Sequence, residues 1–427
     1  MIPQLDELDL IDLTIKKFTR PKLQVDSQRL SMALTTIRAD KETLREAIGV
    51  TAEDLLSDAK FAELLKAQGV TEMPMKWSEA KKRYVPTFAK VSGEFLAMRG
   101  DPKLRPYVDA RLGVKSTIEE TRIQRILDIT KVGGSRLGVP LIYYGAHTGR
   151  FSGKDINLQN LPRQSVIREA LHAPMGHLLI ACDLAQIEAR ITAVLAGQWD
   201  LVAQFARGED VYCNFGSDFY RRKITKEDTK ERFLSKTAVL SLGFGASAAK
   251  FHNTMNDVYH VEVSQQEADR IVRSYRSRFD KIPKLWTTMD RMLGAMREGV
   301  SAEYGPLRFE KERIILPNGM PICYPQLERD SYHNGRQRVK IYGAKAVENG
   351  AQSLARIVMT TAELRLAKHG LHAVMSVHDE LVFCVKEKHA ELIAAVVKSV
   401  MEQPVKWMPK LPVLAEVQIG RAYSDCK

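Results

Sequence analysis

Apolar residues recur at helical spacing through most of residues 26–131. The stretches DSQRLSMALTTIRADKETLREAI and TIEETRIQRILDI are the clearest runs, so this region reads as mostly helical. From 139 to 183 the pattern breaks into short segments separated by turn residues: VPLIYYGAHTGRFSG, then NLQNLPR, then the continuous apolar run HLLIACD. That run reads as a buried strand. The following AQIEARITAVLAG reads as a helix with Ile187, Ile191, Val194 and Leu195 on one face. Helical spacing returns over 200–300. ILPNGMPICYP (315–325) reads as a hairpin around Asn318-Gly319, 343–369 as one long helix, and LHAVMSVHDELVFCV (371–385) as two apolar strands around the polar break His378-Asp379-Glu380. Residues 1–25 alternate charged and apolar positions and read as a lead-in segment, with Asp6, Glu7, Asp9 and Asp12 on a solvated helix face.

Composition sharpens this picture. The chain has 427 residues, 44% of them hydrophobic, which suffices for real cores and argues against disorder. Its formal charge of +12 favours a polyanionic partner, nucleic acid before an anionic membrane. No apolar run is long enough to span a bilayer, and the acidic opening MIPQLDELDL lacks a signal-peptide core. The five cysteines are scattered and never in CxxC spacing, which argues against a disulfide framework or a zinc cluster and for a reducing cytoplasm.

Two carboxylates and one helix face carry the candidate chemistry. Asp183 ends an apolar strand and Asp379 sits at the tip of an apolar hairpin. Singly, Asp183 with Gln186 could be a helix capping box and Asp379 ordinary turn chemistry. Together they suggest carboxylates projected from adjacent strands. Such a pair repels unless cations bridge it, which is the arrangement of a two-metal site for in-line phosphoryl displacement. Mg²⁺ suits it because it takes few carboxylates and leaves positions for substrate phosphates. In RFLSKTAVLSLGFG, every fourth residue (Arg232, Lys236, Leu240, Phe244) falls on one helix face, cationic at one end and apolar at the other. A nucleoside triphosphate has that polarity, although an amphipathic helix with solvated cations would read the same way. No Gly-rich phosphate loop, Ser/His/Asp set or HExxH pattern competes.

DLAQIEARI, RFLSKTAVLSLGFG and VHDE, in this order, resemble the three polymerase motifs of family A DNA polymerases. HTGRFSG, NLQNLPR and KST strengthen the match, which covers roughly residues 20–427 and is closest in flavour to bacteriophage members. The resemblance implies an α+β right hand with an antiparallel-sheet palm and largely helical thumb and fingers. Its parts would be a lead-in segment or exonuclease–polymerase joint (1–25), thumb (26–131), first part of the palm (132–200), fingers (201–314) and second part of the palm (315–427). It implies two Mg²⁺ ions, for which Mn²⁺ could substitute, held by Asp183, Asp379 and Leu184. Arg232 and Lys236 would grip the triphosphate. Glu188 matches the residue that blocks a ribose 2′-OH, and Phe244 the aromatic near the template base. Gln186, Tyr212 and Leu240 complete the nucleotide contacts. Arg150, Asn157, Gln159, Asn160 and Gln352 match contacts to primer–template DNA, His378 a primer-end contact, Glu380 a nearby carboxylate of lesser weight, and Lys115, Ser116 and Thr117 a thumb contact with the duplex. A monomer extending primer 3′-ends with dNTPs is the expected protein.

Some positions depart from the family pattern. Leu240 stands where many members have Phe or Tyr, Tyr212 where many have His, Leu184-Ala185 replaces Tyr-Ser, and QSLARI replaces QGxAAD. These bear on nucleotide selectivity and leave both metal carboxylates in place. Family A members often carry a 3′–5′ exonuclease domain, which needs an Asp-x-Glu on a strand. The candidate near the start, Asp40-Lys41-Glu42, lies in a helical context, so that activity is expected to be absent. A single-subunit RNA polymerase and a catalytically dead DNA-binding hand are the rivals. Glu188 argues against the first, and the set Asp183, Lys236 and Asp379 against the second.

Overall fold

The computed structural model describes residues 5–78, 81–90 and 92–426. The first four residues of the expected lead-in segment and Lys427 lie outside them. The chain divides into two compact units.

One unit comprises Asp26–Ser135 together with Asn253–His260. Its first helix, Ser27–Glu46, starts where the Asp26 side chain accepts from the Arg29 amide at 2.9 Å. Asp40, Lys41 and Glu42 lie on this helix, and Lys41 pairs with Glu120 of the helix Ile118–Gly133 at 2.7 Å. The core gathers Phe61, Phe88 and Phe95 in edge-to-face contacts. Buried Arg111 lies over the Phe61 and Phe88 rings and pairs with Asp58.

The other unit comprises residues 1–25, 136–252 and 261–427. At its centre is an antiparallel sheet of four strands in the order Met375–Val377, Glu380–Lys386, His177–Leu184, Ala415–Gly420. The central strand His177–Leu184 is the apolar run of the sequence. Ile180, Cys182 and Leu184 enter the main core together with Leu381, Phe383 and Val385 of its neighbour. Side chains alternate across a pleated strand, so Asp183 points to the opposite face from Cys182 and Leu184. Val377 pairs with Glu380, leaving His378 and Asp379 as a two-residue loop. The hairpin expected around Asn318-Gly319 is also present, with Arg313–Ile315 against Pro321–Cys323.

The long helix Gly343–Lys368 is buried around most of its surface, as its broad apolar face requires of a core helix, with Lys345, Glu348 and Gln352 on a half-exposed stripe. A Cβ at Gly343 would sit 1.9 Å from the Trp286 carbonyl oxygen, so only glycine lets this helix meet the helix Lys281–Glu298 so closely.

Three expectations change. Asp183 and Gln186 form no capping box: Gln186 adopts a left-handed conformation (φ 47°) before the helix Ile187–Ala196 and makes no side-chain cap. The helix carrying Arg232 ends at Leu242, and Phe244 lies in the following turn, its amide bonded to the Ser241 carbonyl at 3.2 Å. The helix Leu5–Thr19 is not simply a solvated acidic face. Glu7 is buried and accepts both guanidinium donors of Arg356, at 2.7 and 2.8 Å, whereas Asp6, Asp9 and Asp12 are exposed.

Candidate active site

The sheet register brings the segments that carry the two candidate metal carboxylates side by side. Asp183 is the penultimate residue of the central strand, directly across from Glu380, and the Leu184 amide donates to the Asp379 carbonyl at 3.1 Å. Asp379 therefore sits beside the end of the central strand, although 196 positions of sequence separate it from Asp183. His378, exposed in the same loop, has φ 51°. Glu380 is buried and accepts a 2.6 Å hydrogen bond from the Tyr423 hydroxyl, which places it in a structural role behind the loop. Leu184 has no side-chain donor and could serve a cation only through its carbonyl.

A guanidinium joins this pair. Arg150 Nη2 donates to Glu188 Oε1 at 2.5 Å and to the Asp379 oxygens at 3.0 and 3.1 Å. Glu188 lies in the first turn of Ile187–Ala196, while Arg150 closes the turn in which its carbonyl accepts the Ala146 amide at 3.0 Å. Gly149 makes that turn possible. Its φ is 75°, and a Cβ there would lie 2.6 Å from the Tyr144 ring. Burial acts against the charge of Arg150, but the Asp379 and Glu188 carboxylates outweigh it and raise its pKa. Burial also raises the Glu188 pKa, helped by the charge on Asp379 and only partly opposed by Arg150. Arg150, expected at DNA, thus satisfies two carboxylates of its own chain.

The helix Thr229–Leu242 buries Leu234, Ala238, Val239 and Leu242 and turns Arg232, Lys236 and Leu240 to its opposite side. Arg232 is held by Asp210, whose Oδ2 accepts from Nη2 at 2.7 Å and from Nε at 3.0 Å. The other Asp210 oxygen caps the helix Val211–Tyr220 through the Tyr212 and Cys213 amides. Burial would raise Asp210, but the Cys213 amide and Arg232 prevail and hold it below the usual carboxylate range. The cationic heads of Arg232 and Lys236 lie 5.7 and 6.0 Å from the centroid of the Tyr212 ring. Burial pushes the Tyr212 hydroxyl up to about 12. Gln186, Tyr212 and Arg232 line one basin of about 300 Å³, which reaches Ala185, two residues from Asp183. Leu240 and Phe244 instead line a narrow crevice with Ala189 and Thr192. Sequence reasoning missed Asp210, although an Asp immediately before VYC carries the ordinary helix-capping signal.

The other candidates are spread over the chain. Asn157 caps the short turn Leu158–Asn160 by accepting from the Gln159 amide at 3.1 Å, and Gln352 is half-buried on the long helix. Asn160 is exposed at the end of that turn. Lys115, Ser116 and Thr117 belong to the other unit, at the exposed junction of the helices Arg105–Lys115 and Ile118–Gly133, where Lys115 pairs with Asp58 at 2.9 Å. Among the described residues, no group of three or more His, Cys, Asp or Glu gathers to hold a metal, and no helix is long and apolar enough to cross a membrane.

Comparisons with known proteins place the chain in a family. The chain is 28% identical to a thermostable DNA polymerase I of Thermus filiformis over 91% of its own length and 44% of that protein's. It is 24% identical to a DNA polymerase of Bacillus phage SP02, covering 89% of this chain and 67% of the phage protein. The chain thus spans under half the length of the Thermus relative. Its fold matches the polymerase domain of Pol1 from M. smegmatis, solved with DNA primer-template and dNTP, with a TM-score of 0.76, 21% identity and coverage of 98% of this chain and 70% of that one. The family model for DNA polymerase family A matches residues 36–425, nearly the whole chain, and the chain belongs to that family.

Proposed function

We propose that the chain is a DNA-templated DNA polymerase that extends a primer 3′-OH with dNTPs and releases pyrophosphate. The observation that carries this reading is the placement of Asp379 beside the end of the Asp183 strand, through the Leu184–Asp379 backbone hydrogen bond. Two carboxylates from adjacent strands, one already compensated by a guanidinium, suit a divalent pair better than a single structural ion. Asp183, Asp379 and the Leu184 carbonyl would hold two Mg²⁺, with Mn²⁺ a competent substitute. When bound, these ions supply Lewis-acid chemistry, lowering the pKa of the primer hydroxyl and neutralising charge on the pyrophosphate.

The remaining residues position the substrate. Arg232, fixed by Asp210, presents its outer donors to the phosphates, and Lys236 adds a point charge one turn on. Glu188 excludes a 2′-OH. Leu240 offers the sugar an apolar wall, and Phe244 lies near the template base. Asp26–Ser135 is read as the thumb, with Lys115, Ser116 and Thr117 on the duplex. Asn157, Gln159, Asn160, Gln352 and His378 contact primer–template. A monomeric, phage-type enzyme working in a bacterial cytoplasm is the setting that fits.

Primer extension tests this reading. Extension should require Mg²⁺ or Mn²⁺, stop on chelation, and favour dNTPs over rNTPs. Asp183→Asn or Asp379→Asn should reduce single-turnover extension by orders of magnitude while duplex binding persists. Near-normal extension by either variant would overturn the metal assignment.

A further inference from the structure

We infer that Arg150 is a resident counter-ion that ties the metal-binding carboxylate Asp379 to the sugar-facing carboxylate Glu188, so that cation loading at one and the hold on the other are coupled. The inference rests on the roles proposed above for those two carboxylates. One nitrogen, Nη2, makes all three contacts: 2.5 Å to Glu188 and 3.0 and 3.1 Å to the two oxygens of Asp379. The three side chains come from a turn, a helix and a hairpin loop and meet with little exposure: 15% for Arg150, 25% for Glu188 and 18% for Asp379. Charges so poorly hydrated interact strongly. A divalent cation on Asp379 therefore has to displace the guanidinium from that carboxylate or bind against its charge. Glu188 is the partner that remains to Nη2 when Asp379 is taken. The backbone of the Ala146–Arg150 turn keeps the guanidinium within reach of both. Arg150 is on this argument a positioning residue: it restrains the two carboxylates before substrate arrives, and its release from Asp379 accompanies cation binding.

Mn²⁺ binding to the full chain, without DNA or nucleotide, tests this through the paramagnetic resonance of the free ion. Arg150→Gln should tighten the site that Asp379→Asn abolishes by about tenfold, the scale on which a nearby charge shifts an ionic equilibrium. Glu188→Asp keeps the charge but shortens the reach by one methylene. It leaves Arg150 to rest on Asp379, so Mn²⁺ should bind severalfold more weakly, an effect that cannot come from lost charge because the variant loses none. If Arg150→Gln melts abnormally, Glu188→Asp carries the test alone. An Asp379-dependent site indifferent to both variants overturns the coupling and leaves the metal assignment standing. No Asp379-dependent site in any of these proteins overturns both.

Discussion

Leu240 is 37% exposed on the same side of its helix as Arg232 and Lys236, so it is not a core residue. Resemblance to family A implies that a Tyr at this position lets a polymerase accept dideoxynucleotides, its hydroxyl replacing a missing 3′-OH contact. Wild type, with Leu, should discriminate against them. Leu240→Tyr should melt normally and lower that discrimination by about 1–3 kcal/mol, the scale of one hydrogen bond left unmade in a closed site. Competition between dideoxy- and deoxynucleotides in single-nucleotide extension reads this directly. Asp210 acts through Arg232. Asp210→Ala should cost about 1 kcal/mol of stability as a lost helix cap. It should also raise KM for dNTPs by leaving the guanidinium without its fixed partner, whereas a purely structural loss would leave KM unchanged.

Among the elements, the first helix is tied to the long helix by buried charge. Glu7 accepts from Arg356 and from the Tyr143 hydroxyl, and Asn318 donates to it at 2.6 Å. The rings of Tyr143, Tyr144 and Phe151 lie 5.5–5.6 Å from the Arg356 guanidinium, and Lys17 pairs with buried Glu363 on the same long helix. Glu7→Ala leaves Arg356 buried and unpaired, which should cost about 3–5 kcal/mol in denaturant unfolding. Burial pushes the Glu7 carboxyl up, but Arg356, Tyr143 and Asn318 prevail and hold it below the ordinary value of 4.5. A depressed carboxyl contributes its stability above that ordinary value and loses it as pH falls through the folded value. Wild type should therefore lose more stability below pH 4.5 than Glu7→Gln does, and the difference between their unfolding curves isolates this one group.

At the scale of the whole molecule, a net charge of +12 would make the DNA affinity of the proposed polymerase a question of counterions. Affinity should fall log-linearly with salt, each neutralised phosphate contributing a slope of about −0.9. Lys115→Ala should reduce that slope by about 1 without changing sequence preference. Its pairing with Asp58 is half exposed and weak enough to be exchanged for a phosphate. Fluorescence anisotropy across a salt series checks both. A flat response would remove nucleic acid as the reason for the charge.

Local pattern was enough wherever one segment decides its own shape. The continuous apolar run ending in Asp183 and the hairpin break around Asp379 were legible because strand burial and hairpin turns are written in adjacent residues, although Glu380, read as part of that break, begins the next strand. The shared placement of Arg232 and Lys236 was legible because helical spacing puts them on one side. Tertiary structure decided what depends on partners far along the chain. Glu7 reads as solvated beside Asp6, Asp9 and Asp12, and a partner 349 residues away buries it. Arg150 reads as a group offered to DNA, and the fold also sets it against carboxylates 38 and 229 residues away. Phe244 left its helix where the Gly243 carbonyl accepts the Trp286 indole at 2.9 Å and Gly245 takes a φ of 79°. A periodic pattern states which face of an element is apolar. Which charge meets which is settled only when the fold brings distant segments together and removes the water that would otherwise have satisfied each of them separately.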